Sequence, residues 1–161
     1  MRLAVRALVW RLAFALLFVA GTARADDIPI LGDWVIIKAV VAPWVKPNEN
    51  RAPIEADLKA HLQMRITFEP TRVIAKDPTI ACSDVDYERT LFAPEAIFQG
   101  NLPEPNQAEI ARNLGFPKGD IPGFDVDCST GLFSYHFADM NTMLFALNDV
   151  IYWLDREIKK S

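Results

Sequence analysis

The sequence is poor in the residues from which most catalytic and metal sites are built. It contains only two cysteines and two histidines in 161 residues. No CxxC pair is present, and Ser129 and Ser134 lie in no GxSxG motif, so no nucleophile or redox pair is indicated. His136 and Asp139 are three residues apart and point to opposite faces of a strand. His61 has polar neighbours and is expected in solvent. We therefore expect no cofactor, no metal and no enzyme activity.

Long apolar runs are also scarce, and the one that stands out is at the start of the chain. Arg2, Arg6 and Arg11 supply a positive start, Leu12 to Ala20 is unbroken apolar sequence, and Ala23-Arg24-Ala25 is a small-x-small cleavage site. The run is about half the roughly 20 residues that span a bilayer, which favours cleavage over a membrane anchor. Residues 1–25 are predicted to be a signal peptide and 26–161 a single β-rich domain, periplasmic or secreted.

Positive charge becomes scarce once the predicted signal peptide is removed. Cleavage takes four of the 17 basic residues and none of the 21 acidic ones, which leaves 136 residues with a net charge of −8. An acidic domain repels phosphate backbones and anionic lipid, so nucleic acid is excluded as a partner. No second apolar segment is long enough to span a membrane, so no membrane association is expected after cleavage. A cationic partner is compatible with this charge.

The two cysteines are expected to form a disulfide. Cys82 and Cys128 both lie in the predicted mature chain, and two thiols in an oxidising compartment usually pair. Closing a loop of this length restricts the unfolded chain by about 4 kcal/mol on the entropy model.

Proline is frequent and divides the chain into short pieces, as all-β folds require. Residues 54–69 fit both a strand and a helix period, and we expect a helix over 54–61 and a strand over 64–69. Residues 106–114 are predicted to form a helix that begins with an Asn106–Glu109 capping box, and residues 115–131, rich in glycine, are predicted to be a loop. Strands are predicted over 33–41, 72–76, 87–92, 133–139, 142–147 and 150–156, with another short one near 97–98.

The last three strands are predicted to form a meander with two-residue turns at Met140-Asn141 and Asn148-Asp149. This register places the side chains of one face in two cross-strand rows. The rows are Phe137, Leu144 and Trp153, and Tyr135, Ala146 and Ile151.

The first and last strands carry a family resemblance. Gly32-Asp33-Trp34 opens the first strand and Arg156 ends the last. The pattern resembles the lipocalin-type (calycin) barrel, in which a Gly-x-Trp tryptophan packs under an arginine at the closed end. The resemblance implies an antiparallel barrel or closed sheet with one or two short helices, structural roles for Gly32, Trp34 and Arg156, and a binding protein rather than an enzyme.

Two further groups of residues are candidates for binding. Aromatic side chains that could line a barrel cavity or its rim are Trp44, Tyr135, Phe137 and Trp153, although Trp44 could equally pack over a barrel end. Carboxylate pairs flank the cysteines at Asp84, Asp86, Asp125 and Asp127, and a disulfide would bring them together. They could serve as turn residues, bind calcium or attract a cationic partner.

These observations predict an exported, non-enzymatic binding protein that takes a small apolar ligand. The alternative is an acidic module that binds a cationic protein, such as an inhibitor of a cationic cell-wall enzyme.

Overall fold

The computed structural model describes residues 29–47 and 49–158. The predicted signal peptide lies outside these residues, so it remains a prediction. Neither helix in the described part of the chain has the length and apolar character needed to cross a bilayer.

The described part of the chain is mainly β, as predicted, and contains nine antiparallel strands and two short helices. The strands are β1 Gly32–Val41, β2 Arg65–Glu69, β3 Arg72–Ala75, β4 Cys82–Ser83, β5 Asp86–Phe92, β6 Ile121–Cys128, β7 Gly131–Phe137, β8 Thr142–Leu147 and β9 Val150–Arg156. The helices are α1 Ala52–His61 and α2 Gln107–Asn113, with a short 3₁₀ element at Ile97–Gly100 where a strand was expected. The helix predicted over 54–61 and the strand after it are both confirmed.

All nine strands belong to one sheet, which curls into a half-barrel. The strand order is β4-β3-β2-β1-β9-β8-β7-β6-β5, so β1 and β9 lie at the centre. The rings of Phe68 on β2 and Tyr135 on β7 meet edge to face at 5.0 Å between centroids, although three strands separate them in the sheet. The face that carries these rings is therefore the concave interior.

The two ends of the sheet approach each other without pairing as strands. Cys82 of β4 and Cys128 of β6 form the predicted disulfide, with a Cα–Cα distance of 5.7 Å. Nearby, the Tyr87 hydroxyl donates a 2.7 Å hydrogen bond to the carbonyl of Glu69. Half-burial of this phenol and the charge of Glu69 raise the pKa of Tyr87 to about 12. These contacts hold the half-barrel curled.

The predicted register is confirmed between β8 and β9 but wrong between β7 and β8. Leu147 pairs with Val150 across the turn, as expected. Phe137, however, pairs with Met143 rather than placing its side chain beside Leu144. The carboxylate of Asp139 accepts hydrogen bonds from the N–H groups of Asn141 and Thr142, at 2.7 and 2.9 Å, and this builds a longer turn than the predicted one.

A register error of one residue moves a whole strand to the opposite face. The two predicted rows are therefore divided between faces. Tyr135 and Phe137 point into the concave interior, whereas Leu144 and Trp153 share the convex face with His136. The interior is filled by side chains that are at most 1% exposed, among them Trp34, Phe68, Tyr135, Phe145 and Tyr152.

The glycine-rich segment predicted to be a loop instead contains β6. Proline has no backbone N–H to donate to a neighbouring strand. Pro122 is tolerated in β6 because it pairs only with Leu91 of β5, and the pairing with β7 begins at Gly123. Gly123 has a separate role. A Cβ there would lie 2.8 Å from the ring of Phe92 and still closer to a backbone oxygen, so only glycine lets Phe92 reach His136.

The helices pack against opposite faces of the sheet. On α1, His61 is 5% exposed, so the expectation of a solvated His61 is wrong. Its Nε2 lies 2.6 Å from Asp77, and its Nδ1 lies 2.9 Å from the carbonyl of Asp57. Burial alone would raise the pKa of Asp77, but hydrogen bonds from His61 and Thr79 outweigh it and lower the pKa.

Helix α2 covers part of the convex face. The indole N–H of Trp153 donates to the carbonyl of Leu114, just beyond the helix, at 3.2 Å. Asn106 is the N-cap residue but makes no side-chain capping bond, so the predicted capping box is absent. Packing of the helix against the sheet, rather than a cap, therefore sets its position.

Candidate functional site

A stripe of carboxylates runs along the outer face of the β5–β6 pair. Asp86 pairs with Asp127, and Glu88 pairs with Asp125, so like charges stand directly opposite each other at two successive positions. Side chains opposite each other on antiparallel strands lie roughly 5 Å apart at Cβ, and like charges there are destabilising. We call these four residues the carboxylate ladder.

The carboxylate ladder contains three of the four acidic residues that the sequence placed beside the cysteines. Asp84, the fourth, lies in the turn between β4 and β5 with a left-handed φ of 57°. Glu88 was missed, although its i+2 spacing from Asp86 in a predicted strand was the available signal. The disulfide joins β4 to the end of β6 and so fixes Asp84 near the ladder.

The ladder has no cation of its own in the described part of the chain. Its carboxylates take part in none of the salt bridges found there, which join His61 to Asp77, Arg65 to Glu157 and Arg72 to Glu69. No set of three or more His, Cys, Asp or Glu residues between 29 and 158, as far as described, is arranged to hold a metal ion. The ladder is therefore an uncompensated negative surface.

A surface cleft adjoins this ladder at its β7 side. It has a volume of about 260 Å³, and Trp44, Phe98 and Phe133 supply its aromatic walls. Ser134 lines the cleft and pairs with Asp125 of the ladder, to which its hydroxyl donates a 2.5 Å hydrogen bond. We call this site the Trp44 cleft. It and the ladder form one continuous part of the surface.

Hydrogen bonds fix the positions of the side chains around the Trp44 cleft. The indole N–H of Trp44 donates to Oδ1 of Asp149 at 2.8 Å, which joins the segment after β1 to the turn between β8 and β9. Asn148 and Asp149 both have left-handed φ values, 50° and 64°, as the predicted two-residue turn requires. Asn101 donates through its side-chain amide to the carbonyl of Phe98 at 2.8 Å.

A second, more apolar groove of about 380 Å³ lies at the end of the half-barrel where Phe137 packs on Trp34. Its walls include Pro29, Pro122, Phe124, Phe137 and Met140. Met140 is 82% exposed, which leaves a large apolar side chain at the edge of the groove without cover among the described residues. We call this site the Phe137 groove.

The four predicted ligand-binding aromatics do not converge. Trp44 lines the cleft named after it, and Phe137 lines the other groove. Tyr135 is 1% exposed and packs between Phe68 and Phe145 in the filled interior. Trp153 is buried on the convex face, with the ammonium of Lys38 4.2 Å from its ring centre.

The arrangement implied for Gly32, Trp34 and Arg156 is present. The guanidinium of Arg156 lies 4.3 Å from the ring centre of the fully buried Trp34 and donates to the carbonyls of Leu31 and Pro29. Gly32 has a φ of 121°, and a Cβ there would meet Arg156 at 3.3 Å. Burial lowers the pKa of Arg156. This group closes one end of the half-barrel and adjoins the Phe137 groove, because Arg156 donates to Pro29 and Trp34 packs edge to face on Phe137 at 6.0 Å between ring centroids.

Comparison with protein-family models, with curated proteins and with solved structures finds no match for this chain.

Proposed function

We propose that this protein is a binding module that recognises a cationic protein through the carboxylate ladder. The observation that carries the proposal is the pairing of Asp86 with Asp127 and of Glu88 with Asp125 without a neutralising cation in the described chain. Such pairs reduce the stability of the isolated fold. A partner that places Lys or Arg side chains between the carboxylates removes that repulsion and gains attraction.

The charge of the whole domain supports this proposal. At a net charge of −8 after signal cleavage, the domain attracts cationic proteins over about one Debye length and speeds their encounter. Complementary potentials of this kind raise association rates and exclude acidic partners. A cationic enzyme of the cell wall is one class of protein that such a module would bind and inhibit.

Export to the periplasm or the cell exterior is part of the proposal. The predicted signal peptide over residues 1–25 supports it, and so does the Cys82–Cys128 disulfide, because disulfides persist in oxidising compartments. No catalytic role is proposed. Both cysteines are consumed by the disulfide, and His136 is fully buried.

The proposal is tested by titrating the exported protein with lysozyme as a cationic probe, at about 0.02 M and about 0.3 M salt. We expect tight binding at low salt, a loss of about tenfold or more in affinity at high salt, and weaker binding by a D86N/D127N double variant. The matched control is E55Q/E109Q, which removes the same charge from exposed positions on α1 and α2. Equal loss in both variants, or no binding at low salt, would overturn the proposal.

A second candidate function is supported by the Phe137 groove. Its apolar walls and its volume of about 380 Å³ suit a small apolar ligand, the class expected from the sequence. Exposed Met140 at its edge is a flexible side chain that can close over such a ligand. Titration with fatty acids should show saturable binding that is lost in M140E. The control L132E places the same charge at the Trp44 cleft and should bind the fatty acids normally.

A further inference from the structure

We propose that the Trp44 cleft receives the protonated side chain of a lysine from the cationic partner. The inference rests on the proposed function and names the partner group that the surface beside the carboxylate ladder takes. The aromatic wall, the charges around the cleft and the size of the cavity all suit such a group.

The aromatic wall supplies a surface that attracts organic cations. Trp44 is half-buried and lines the cleft, and its ring centroid lies 6.0 Å from that of Phe98 at an interplanar angle of 46°. Two tilted aromatic rings form the corner of a cage, and an ammonium group over such rings gains cation–π energy. Tryptophan is the most favourable ring for this contact.

Three of the side chains that line the cleft donate hydrogen bonds to carboxylates. Trp44 donates to Asp149, Asn148 donates to Asp57 at 3.0 Å, and Ser134 donates to Asp125. None of the residues that line the cleft is a lysine or an arginine. The cleft is therefore surrounded by negative charge, which favours an ammonium group over a neutral or anionic ligand.

The size and position of the cleft fit one side chain of a protein partner. Its volume of about 260 Å³ lies below the roughly 300–1,000 Å³ of pockets that hold drug-sized ligands. Ser134 connects it to Asp125 of the carboxylate ladder. A partner held by the ladder would thus present a neighbouring lysine to the cleft, as an anchor residue enters a central pocket in other interfaces.

The inference is tested by nuclear magnetic resonance on ¹⁵N-labelled exported protein, with Nα-acetyl-lysine methylamide as the probe. We expect saturable shifts of the Trp44 indole N–H signal, while those of buried Trp34 and Trp153 stay in place. The uncharged analogue Nα-acetyl-norleucine methylamide should bind at least about fivefold more weakly. N-acetylglucosamine tests a neutral sugar as the occupant, and its binding in place of the lysine probe would overturn the inference.

Asp149→Asn provides the matched variant. It keeps an oxygen that accepts from Trp44 and suits the left-handed turn, but removes the charge. We expect unchanged dispersion of the spectrum and a lysine-probe affinity lowered by about fivefold or more. Unchanged affinity in D149N would overturn the inference.

Lysozyme binding separates this inference from the proposed function. If D86N/D127N weakens lysozyme binding and D149N does not, the result supports recognition by the carboxylate ladder and rules out the lysine pocket. If the lysine probe binds the cleft but lysozyme does not bind at low salt, the result supports the lysine pocket and rules out the proposed function.

Discussion

The backbone N–H of Phe98 donates a 3.0 Å hydrogen bond to Nε2 of His136 across the convex face of the sheet. Because Nε2 accepts, the proton of the neutral ring lies on Nδ1, which has no hydrogen-bond partner in the described part of the chain. The imidazole is enclosed instead by the rings of Phe92, Phe98 and Phe116, at centroid distances of 4.5, 5.0 and 6.2 Å.

This bond also supports the Trp44 cleft. Phe98 and Gln99 both have left-handed backbone angles, with φ values of 50° and 59°. Such angles are costly for bulky residues and persist only where surrounding contacts impose them. His136 therefore acts as a structural residue that holds one wall of the cleft.

The first prediction concerns the pH dependence of stability. Burial lowers the pKa of His136 to about 3, so between about pH 6.5 and 3 the unfolded chain binds a proton that the folded chain excludes. Stability should fall with acidity across this window by about 1.4 kcal/mol per pH unit from this residue alone. In H136Q, which retains an acceptor for Phe98, urea unfolding at several pH values should show a flatter profile. Parallel profiles for the two proteins would contradict the assignment.

The second prediction concerns Arg156 and Trp34. Arg156→Lys loses the planar stack on the indole and the paired donation to Leu31 and Pro29. We expect a loss of about 1–3 kcal/mol in the free energy of unfolding, measured by urea denaturation. Arg65→Lys is the control, because its ion pair with Glu157 is exposed and should contribute less than about 1 kcal/mol. Equal losses in the two variants would show that the stack contributes nothing specific.

The third prediction concerns the disulfide. Replacing Cys82 and Cys128 by serine frees a loop with a sequence separation of 46 and should cost about 4 kcal/mol on the entropy model. The midpoint of thermal unfolding should drop accordingly, and the unmodified protein under reducing conditions should behave like the double variant. An unchanged midpoint would mean that the contacts between β2 and β5 hold the curl by themselves.

The fourth prediction separates stability from binding in the carboxylate ladder. Asp127→Asn removes the repulsion with Asp86 and should stabilise the fold by up to about 1 kcal/mol at low salt, an effect that fades as salt rises. Glu55→Gln removes one charge outside the ladder and should have little effect. Destabilisation by D127N at low salt would argue against repulsion between the paired carboxylates.

Local chemistry made several features predictable from the sequence. Asn148 and Asp149 accept left-handed angles, and this fixed the β8–β9 hairpin and its register. Both periods fitted residues 54–69, and α1 was located by good helix formers and by Pro53 in the first turn. Two cysteines in a chain predicted to be exported indicated the disulfide. The contact between Trp34 and Arg156 was implied by the resemblance to the lipocalin-type barrel rather than by local chemistry.

The sequence alone therefore determined a mainly β, disulfide-linked chain with an acidic character. Only the tertiary structure decided which faces the side chains occupy. The hydrogen bonds that Asp139 accepts set a β7–β8 register that differs by one residue from the predicted one. Tyr135 and Phe137 therefore lie on the face opposite to Trp153. The Trp44 cleft and the carboxylate ladder each combine residues from segments far apart in the chain. Their assembly depends on long-range strand pairing, and pairing is set by the packing of the whole sheet rather than by local propensity.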